Sequence, residues 1–308
     1  MHRRTLVTAL AGGTVALSVT VPALAQPAPE ILARFPNGTF LENLVVASDG
    51  RVIFTNYFAR TLEAWSPAAG HARFAEVPQH PVSLTALVGG RHALVVHGVA
   101  FNRGPEAMRG EAAVLIVEAD GRVARRIALA EAIFPNGALL LAPQRLLVAD
   151  SALGLVWAVD LGTGEASRWL ADPMLAPVQG QPYPGVNGIK RSGNALLLSN
   201  SAQRLLLRQV LSSERPEGTP ALLARMGSGV DDFDIAPGGT VFAATHAVGI
   251  ARLLPGASEP GVIPAPGVEG NTAVALTPDG RGLYALGTGG LFSGGKGEAV
   301  LARIALPA

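Results

Sequence analysis

The sequence predicts an all-β chain, folded as a six-bladed β-propeller of four-stranded blades, and three observations lead to this prediction. The 308 residues include 37 glycines and 23 prolines but only 15% charged residues, with a mean hydropathy of +0.34. Such a composition is typical of short buried strands joined by tight turns. One hairpin pattern recurs six times along the chain. A strand-like piece near the start complements an incomplete last repeat, which predicts that the ring is closed by an N-terminal strand paired with the C-terminal blade.

Residues 1–25 have the features of a secretory signal peptide and are excluded from the predicted propeller, which spans residues 29–308. A basic start with Arg3 and Arg4 is followed by the apolar run 6–21 and by the small-residue cleavage site 23–25. The arginine pair also fits a twin-arginine signal, so both export routes stay open. We therefore expect a periplasmic or secreted protein. No later stretch has 18 uninterrupted apolar residues, so no further membrane span is expected.

The charge balance favours a small-molecule substrate over a nucleic-acid partner. Without Arg3 and Arg4, 22 basic and 23 acidic residues remain, and the chain has only two lysines, Lys190 and Lys296. Nucleic-acid binding rests on a basic footprint that this balance does not supply. The chain also contains no cysteine, so stability is expected to come from core burial, ring closure or a bound ion.

The hairpin over residues 134–150 shows the repeated pattern most clearly. It opens on Asn136-Gly137, turns at Pro143-Gln144 and returns to Asp150, with apolar residues between these points. Six segments share this pattern, and their first residues are Glu42, Ser83, Asn136, Asn187, Asp231 and Thr272. These residues are 41, 53, 51, 44 and 41 positions apart, which is within or slightly above the length of a four-stranded propeller blade.

Further strand-like pieces complete each blade. They lie at 61–65 and 72–77, 113–118 and 123–129, 154–160 and 167–170, 204–211 and 221–224, and 249–254 and 261–263. The sixth hairpin is followed by only one piece, 299–306, and the segment 30–35 (EILARF) is predicted to supply its missing partner. Such closure removes exposed sheet edges. Three insertions, 98–111, 171–185 and 288–297, exceed a minimal blade and are either functional lids or flexible decoration.

The first residues of the hairpins predict a metal site, because equivalent positions of all blades lie at the same end of a propeller channel. Glu42, Asn136, Asn187 and Asp231 offer two carboxylates and two amide oxygens, a donor set that suits Ca²⁺. Without a cation, two carboxylates held close together would repel each other. A zinc site is not expected, because the chain lacks cysteines and paired histidines at metal spacing.

The last residues of the return strands form a second polar set at the same end of the blades. This set contains Asn56, His97, Asp150, Asn200 and Thr245, with His246 next to it. We expect these residues to line a substrate pocket or to orient the ligands. For His97 and His246, a proton-transfer or substrate role and a structural role both stay open.

Several segments resemble the blade motifs of the senescence marker protein, gluconolactonase and luciferin-regenerating enzyme group, which is regucalcin-like. They are PNGTFLENLVVASDG, FPNGALLLAPQRLLVADSALGLVWAVDLGTGE, PGVNGIKRSGNALLLSNS, VDDFDIAPGGTVFAATH and TAVALTPDGRGLYALGTGG. The resemblance implies a divalent cation, often calcium, held in the channel by Glu42, Asn136, Asn187 and Asp231. It also implies that Asp231 is the catalytic base or nucleophile.

The resemblance implies a metal-dependent hydrolase of a lactone or related ester, in which the cation polarises the carbonyl. Phe134 stands where sugar-lactone hydrolases often carry an arginine, which weakens a sugar-lactone assignment and leaves a more apolar lactone or ester open. Asp231 is preferred over Asp232 because its spacing to the next turn glycine equals that of Glu42. Substrate is expected beside Phe134, His97 and the loop with Gln181 and Tyr183. A phosphotriesterase, a non-catalytic calcium-containing binding propeller and a metal-free synthase-like propeller are the alternatives.

Overall fold

The chain forms six four-stranded antiparallel sheets, which confirms the predicted propeller. A computed structural model describes residues 27–181 and 184–306. The predicted signal peptide lies outside these residues. Within them, no helix is long and apolar enough to cross a membrane.

The strands follow one another in the order expected for radial blades. Blade 1 contains β2 (Leu41–Val46), β3 (Val52–Asn56), β4 (Thr61–Ser66) and β5 (Gly70–Glu76). Blade 2 contains β6 (His80–Ala86), β7 (His92–His97), β8 (Ala112–Val117) and β9 (Val123–Leu129). Blade 3 contains β10 (Pro135–Ala142), β11 (Arg145–Asp150), β12 (Leu155–Asp160) and β13 (Ala166–Ala171).

The second half of the ring repeats this arrangement. Blade 4 contains β14 (Val186–Ser192), β15 (Ala195–Asn200), β16 (Leu205–Ser212) and β17 (Arg215–Arg225). Blade 5 contains β18 (Phe233–Ile235), β19 (Val241–Ala243), β20 (Ile250–Leu253) and β21 (Gly261–Ile263). Blade 6 contains β22 (Asn271–Leu276), β23 (Gly282–Gly287) and β24 (Ala299–Ala305), and its outer strand is β1 (Glu30–Phe35).

The ring is closed in two ways, by pairing of the N-terminal strand with the last blade and by packing between neighbouring blades. Strand β1 pairs antiparallel with β24 from Glu30 opposite Arg303 to Phe35 opposite Ala299, as the sequence predicts. The innermost strands β2, β6, β10, β14, β18 and β22 each lie against the next, and β22 lies against β2. The six innermost strands, each the edge strand of its own sheet, therefore surround the channel as a closed ring.

The core lies between the blades. Most buried apolar clusters among the described residues join strands of two neighbouring sheets, for example Leu147 and Leu196 between blades 3 and 4. Several middle strands are buried along their whole length, as in β7 and β8, because each sheet packs on a neighbour at both faces. Stacked sheets explain why the strand sequences are continuous apolar runs rather than alternating patterns.

Within residues 27–181 and 184–306, helical structure is confined to loops. It comprises the short helix α1 (Pro105–Met108) and the 3₁₀ turns Val88–Gly90, Phe101–Arg103, Pro173–Leu175 and Leu291–Ser293. The three insertions predicted from the sequence connect β7 to β8, β13 to β14 and β23 to β24. In an antiparallel blade these connections lie at the end where the innermost strand begins. All three insertions therefore surround one end of the channel.

Candidate functional site

The innermost strands of blades 1, 3 and 4 begin with the same irregularity in their pairing. Leu41 pairs with Asn56, Pro135 with Asp150 and Val186 with Asn200, and the register then shifts by one residue in each hairpin. A bulge of this kind re-aims the side chain at the shift. On each innermost strand, the residue that follows the first paired residue lies at this shift. These residues are Glu42, Asn136 and Asn187.

In blade 2 the observed register differs from the sequence-based alignment. His80 pairs with His97, so Pro81 rather than Ser83 occupies the position that Glu42 holds in blade 1. The Ser83 hydroxyl instead accepts a hydrogen bond from the backbone N–H of Ala138 in blade 3, at 3.2 Å. In blade 6 the Thr272 hydroxyl donates to the backbone carbonyl of Leu41 at 2.8 Å. Both hydroxyls therefore link neighbouring blades.

Two of the predicted site residues, Asn187 and His246, contact the carboxylate of Asp231, which is 4% exposed. The Asn187 amide nitrogen donates a hydrogen bond to Oδ1 of Asp231 at 2.6 Å and another to the Ser201 hydroxyl at 3.2 Å. Nε2 of His246 lies 3.0 Å from Oδ2 of Asp231, an ion-pair distance, although the two atoms are not aligned as a hydrogen bond. Asp231 is thus held between blade 4 and the loop that follows β19.

Glu42 adds a second buried carboxylate to this group. Its Oε2 atom is buried and has no hydrogen-bond partner among the described residues. Burial raises the pKa of the Glu42 carboxyl well above its usual range, and the negative charges of Asp231 and Asp232 raise it further. A buried carboxylate without a donor is costly, and a nearby cation would remove that cost.

The amide of Asn136 is also free of hydrogen bonds to other described residues, and the residue is 6% exposed. No group of three or more His, Cys, Asp or Glu suited to a metal is found in residues 27–181 and 184–306. The predicted donor set instead mixes two carboxylates with amides, which are ligands that calcium accepts. The buried Oε2 of Glu42, which has no partner among the described residues, and the Asp231 carboxylate fit a hard divalent cation.

Asp232 belongs to a different network, although it neighbours Asp231 in the chain. Its Oδ2 accepts hydrogen bonds from the Asn43 amide at 2.8 Å and from the Lys190 ammonium at 2.9 Å. Burial raises the pKa of the Asp232 carboxyl, and Lys190 opposes this shift. This carboxylate therefore joins blades 1, 4 and 5. Sequence reasoning missed Asn43 and Lys190, although a lysine on an innermost strand of a lysine-poor chain was a usable signal.

His246 holds an unusual backbone conformation that directs its ring toward Asp231. Its φ is 57°, in the left-handed region that non-glycine residues rarely adopt. Burial of the ring disfavours its charged form, but the Asp231 carboxylate outweighs burial and raises the pKa of His246 above 6.5. The Asp231 carboxylate therefore stabilises the charged form of the imidazole.

His97 is fully engaged with the surrounding protein. Its Nε2 lies 2.8 Å from the carbonyl oxygen of Pro135, which can only accept, so Nε2 carries the proton. Nδ1 consequently accepts from the Tyr57 hydroxyl at 3.0 Å, and that hydroxyl accepts from the Phe101 backbone N–H at 2.9 Å. Burial lowers the pKa of His97 to about 4, so its ring is neutral at pH 7. Burial also raises the pKa of Tyr57.

The side chains of Asp150 and Asn200 form hydrogen bonds with backbone groups of nearby loops. The Asp150 carboxylate accepts four backbone N–H groups, those of Ile133, Phe134, Ala152 and Leu153, and the indole N–H of Trp157. The Asn200 amide donates to the carbonyl oxygens of Met174 and Ala176 and accepts from the N–H of Gln203. Asn56 is 7% exposed and makes no side-chain hydrogen bond to a described residue.

Aromatic side chains border the cluster, and most of them were missed from the sequence. The Phe134 ring lies 4.8 Å from that of His97 and 6.5 Å from that of Phe101. Phe292 lies 6.1 Å from His246. Phe101 and Phe292 belong to two of the predicted insertions, which was the available signal. Tyr183 lies outside the described residues.

Solved structures share this architecture at low sequence identity. A luciferin-regenerating enzyme matches with a TM-score of 0.70 at 13% identity, over 91% of this chain and 95% of the other. Regucalcin, a calcium-binding protein from Agrobacterium tumefaciens, matches with a TM-score of 0.66 at 14% identity, over 90% and 93% of the two chains. A gluconolactonase from Xanthomonas campestris matches with a TM-score of 0.65 at 14% identity, over 94% and 99%.

The sequence itself matches no protein-family model and no curated protein. The likeness is therefore one of fold. The chain is a six-bladed β-propeller with the fold of luciferin-regenerating enzyme, regucalcin and gluconolactonase structures.

Proposed function

We propose that this protein is an exported, metal-dependent hydrolase of a lactone or related ester. The observation that carries the proposal is the buried group at one end of the channel. There Asn187 and His246 contact the two oxygens of Asp231, and Glu42 lies near enough for the charge of Asp231 to raise its pKa. The calcium-binding and gluconolactonase structures that share the fold support the same proposal.

Glu42, Asn136, Asn187 and Asp231 would hold the divalent cation, most simply Ca²⁺. When bound, the cation would polarise a substrate carbonyl and stabilise the negative charge that develops on its oxygen. The charge of the donor set supports this assignment. Glu42 and Asp231 are buried carboxylates at one end of the channel, and among the described residues the only ion-pair distance to either of them is that of His246 to Asp231. A hard dication neutralises such a pair.

Asp231 would activate the attacking water. Its carboxylate takes a proton as the water oxygen bonds to the carbonyl carbon. The acyl carbon–oxygen bond then breaks, and the same proton passes to the leaving alkoxide. Asn187 and His246 orient the carboxylate from two sides, which holds it in one position during the transfer.

Metal analysis of the purified protein, combined with a lactone and ester panel before and after chelation, tests this function. Asp231→Asn should lower kcat by at least about a hundredfold, because it removes the general base. The matched control is Asp120→Asn, which changes an exposed turn carboxylate in blade 2 and should leave the rate unchanged.

Other outcomes would support different functions. Full lactonase activity in Asp231→Asn with metal still bound would refute the assigned base. Hydrolysis of organophosphate triesters but not of lactones would favour a phosphotriesterase. Calcium that raises the melting temperature without activity on any ester would favour a binding propeller.

A further inference from the structure

Four phenylalanine rings gather at the end of the channel that carries the acidic group. We call them the aromatic collar, and they are Phe58, Phe101, Phe134 and Phe292. The Phe101 ring lies 5.7 Å from Phe58, 6.5 Å from Phe134 and 5.9 Å from Phe292. Three different loops and the segment before β10 supply these rings. All four positions belong to connections at the end where the innermost strands begin, so topology places the collar and Glu42 at the same end.

Three rings of the collar pack against one buried phenylalanine. The ring of Phe40, which is 6% exposed, lies 6.0 Å from Phe58, 5.7 Å from Phe101 and 4.9 Å from Phe292. Ring pairs at these distances attract each other beyond simple burial. The collar is therefore a packed surface rather than four unrelated side chains.

The collar adjoins the proposed reaction centre at two points. Phe292 lies 6.1 Å from the His246 ring, and Nε2 of His246 lies 3.0 Å from Asp231. Phe134 lies 4.8 Å from the His97 ring and precedes Asn136 by two residues. A substrate whose carbonyl reaches Asp231 would consequently lay its substituents against the collar.

Hydrogen bonds fix the loop that carries Phe101. Tyr57 accepts the Phe101 N–H at 2.9 Å and donates to His97, which in turn donates to the Pro135 carbonyl. The collar and the entry to β10 are thus joined through two buried polar side chains. We regard Tyr57 and His97 as positioning residues for the collar.

Part of this apolar surface faces solvent. Phe292 is 53% exposed and Phe58 is 39% exposed, while Phe101 and Phe134 are half-buried. Phenyl rings offer no hydrogen bond, so the hydroxyl groups of a sugar lactone would lose water there without compensation. An alkyl or aryl group would instead gain by covering the exposed rings.

We propose that the aromatic collar is the specificity surface of the site and selects lactones or esters with an apolar alkyl or aryl substituent over polyhydroxylated ones. This inference rests on the proposed hydrolase function. The acyl carbonyl lies at Asp231, and the substituent covers Phe292 and Phe101. Phe58 extends the surface on the side of blade 1.

A homologous series of substrates tests the collar. The probes are unsubstituted γ-butyrolactone, the γ-lactones with butyl, hexyl and octyl substituents, and glucono-δ-lactone as the polyhydroxylated comparison. In the wild-type protein, kcat/KM should rise roughly two- to fourfold for each added methylene until the collar is covered. Phe292→Ala and Phe58→Ala should each flatten that rise, and Phe292→Leu should retain most of it.

Val262→Ala is the control, because Val262 is also an exposed apolar residue, 68% exposed, and lies on the outer strand of blade 5. It should leave the whole series unchanged. Lactone hydrolysis that does not depend on chain length, or that favours glucono-δ-lactone, would overturn the collar proposal and leave the hydrolase function standing. Equal slopes in wild type and Phe292→Ala would also overturn it.

Affinity measurements keep the two proposals separable if no lactone is hydrolysed. The corresponding γ-alkyl-γ-lactams cannot be opened as easily and serve as binding probes by calorimetry. Lactam affinity that rises with alkyl length in the wild type and less in Phe292→Ala would support the collar while the hydrolase proposal fails. A flat affinity series without hydrolysis would refute both.

Discussion

His97→Gln is the substitution whose effect on stability follows most directly from the structure. His97 is buried with a neutral ring that donates to Pro135 and accepts from Tyr57. A proton added to Nδ1 would face the hydroxyl hydrogen of Tyr57, and the nearby His80 lowers the pKa of His97 further. Acid should therefore destabilise the wild type through this residue, whereas glutamine does not titrate.

The size of the effect follows from the shift in pKa. The folded-state pKa is about 4, against 6.5 for an exposed histidine, so the unfolded chain binds the proton more readily. Stability from the neutral ring is complete above pH 6.5 and is lost as the pH falls toward 4. At 1.36 kcal/mol for each pH unit, the full loss is about 3 kcal/mol, of which about 2 kcal/mol is lost by pH 5.

Urea unfolding of both proteins between pH 8 and pH 5 measures this effect. A chelator in every sample keeps the acidic group in the same state, so that its own titration cancels in the difference between the proteins. His97→Gln should be the less stable protein at pH 8, and the gap should narrow by about 2 kcal/mol at pH 5. Parallel stability curves over this range would refute the assignment of a buried neutral histidine.

Three further substitutions test the other contacts. Asp150→Asn should lower the free energy of unfolding by about 2 to 4 kcal/mol, because buried N–H donors lose a charged acceptor; an unchanged urea midpoint would contradict this role. Lys190→Met should cost about 3 kcal/mol at pH 7, because the buried Asp232 carboxylate loses its positive partner and keeps only the neutral Asn43 amide among its described side-chain donors, and adding Asp232→Asn should recover part of that loss. Glu42→Gln should abolish most of the stabilisation by calcium, which for the wild type is about 2.7 kcal/mol at a hundredfold excess over Kd. Equal calcium-induced shifts in melting temperature for both proteins would exclude Glu42 as a ligand.

The fold could be predicted because propeller blades are local in sequence. Each hairpin contains its own turn and its own apolar strands, so the pattern around Asn136 is readable without knowing its neighbours. Ring closure was predictable too, since the segment 30–35 had no partner of its own and the last blade lacked one strand. The register of blade 2 was not predictable in this way. The pairing that places Pro81, rather than Ser83, at the position of Glu42 cannot be recognised from the spacing between hairpins.

In the candidate site, residue type and repeat position predict that Asn187, Asp231 and His246 lie at the same end of the channel. In the structure, Asn187 and His246 both contact Asp231. The polar set that ends the return strands was less informative. Asp150 and Asn200 use their polar atoms on backbone groups of nearby loops, and sequence spacing cannot distinguish such internal bonds from contacts with a ligand.

The sequence by itself determined the number of blades, the closing strand and the end of the channel at which the acidic residues gather, because all three depend on repeated local patterns. Only the tertiary structure decided which side chains of that end stay unpaired and which are used by the scaffold. Asp232 is bound by Asn43 and Lys190, whereas the buried Oε2 of Glu42 has no hydrogen-bond partner in the part of the chain that the structure describes. The physical reason is that hydrogen bonds between blades, and aromatic contacts such as Phe101 with Phe292, join residues that are far apart in the chain.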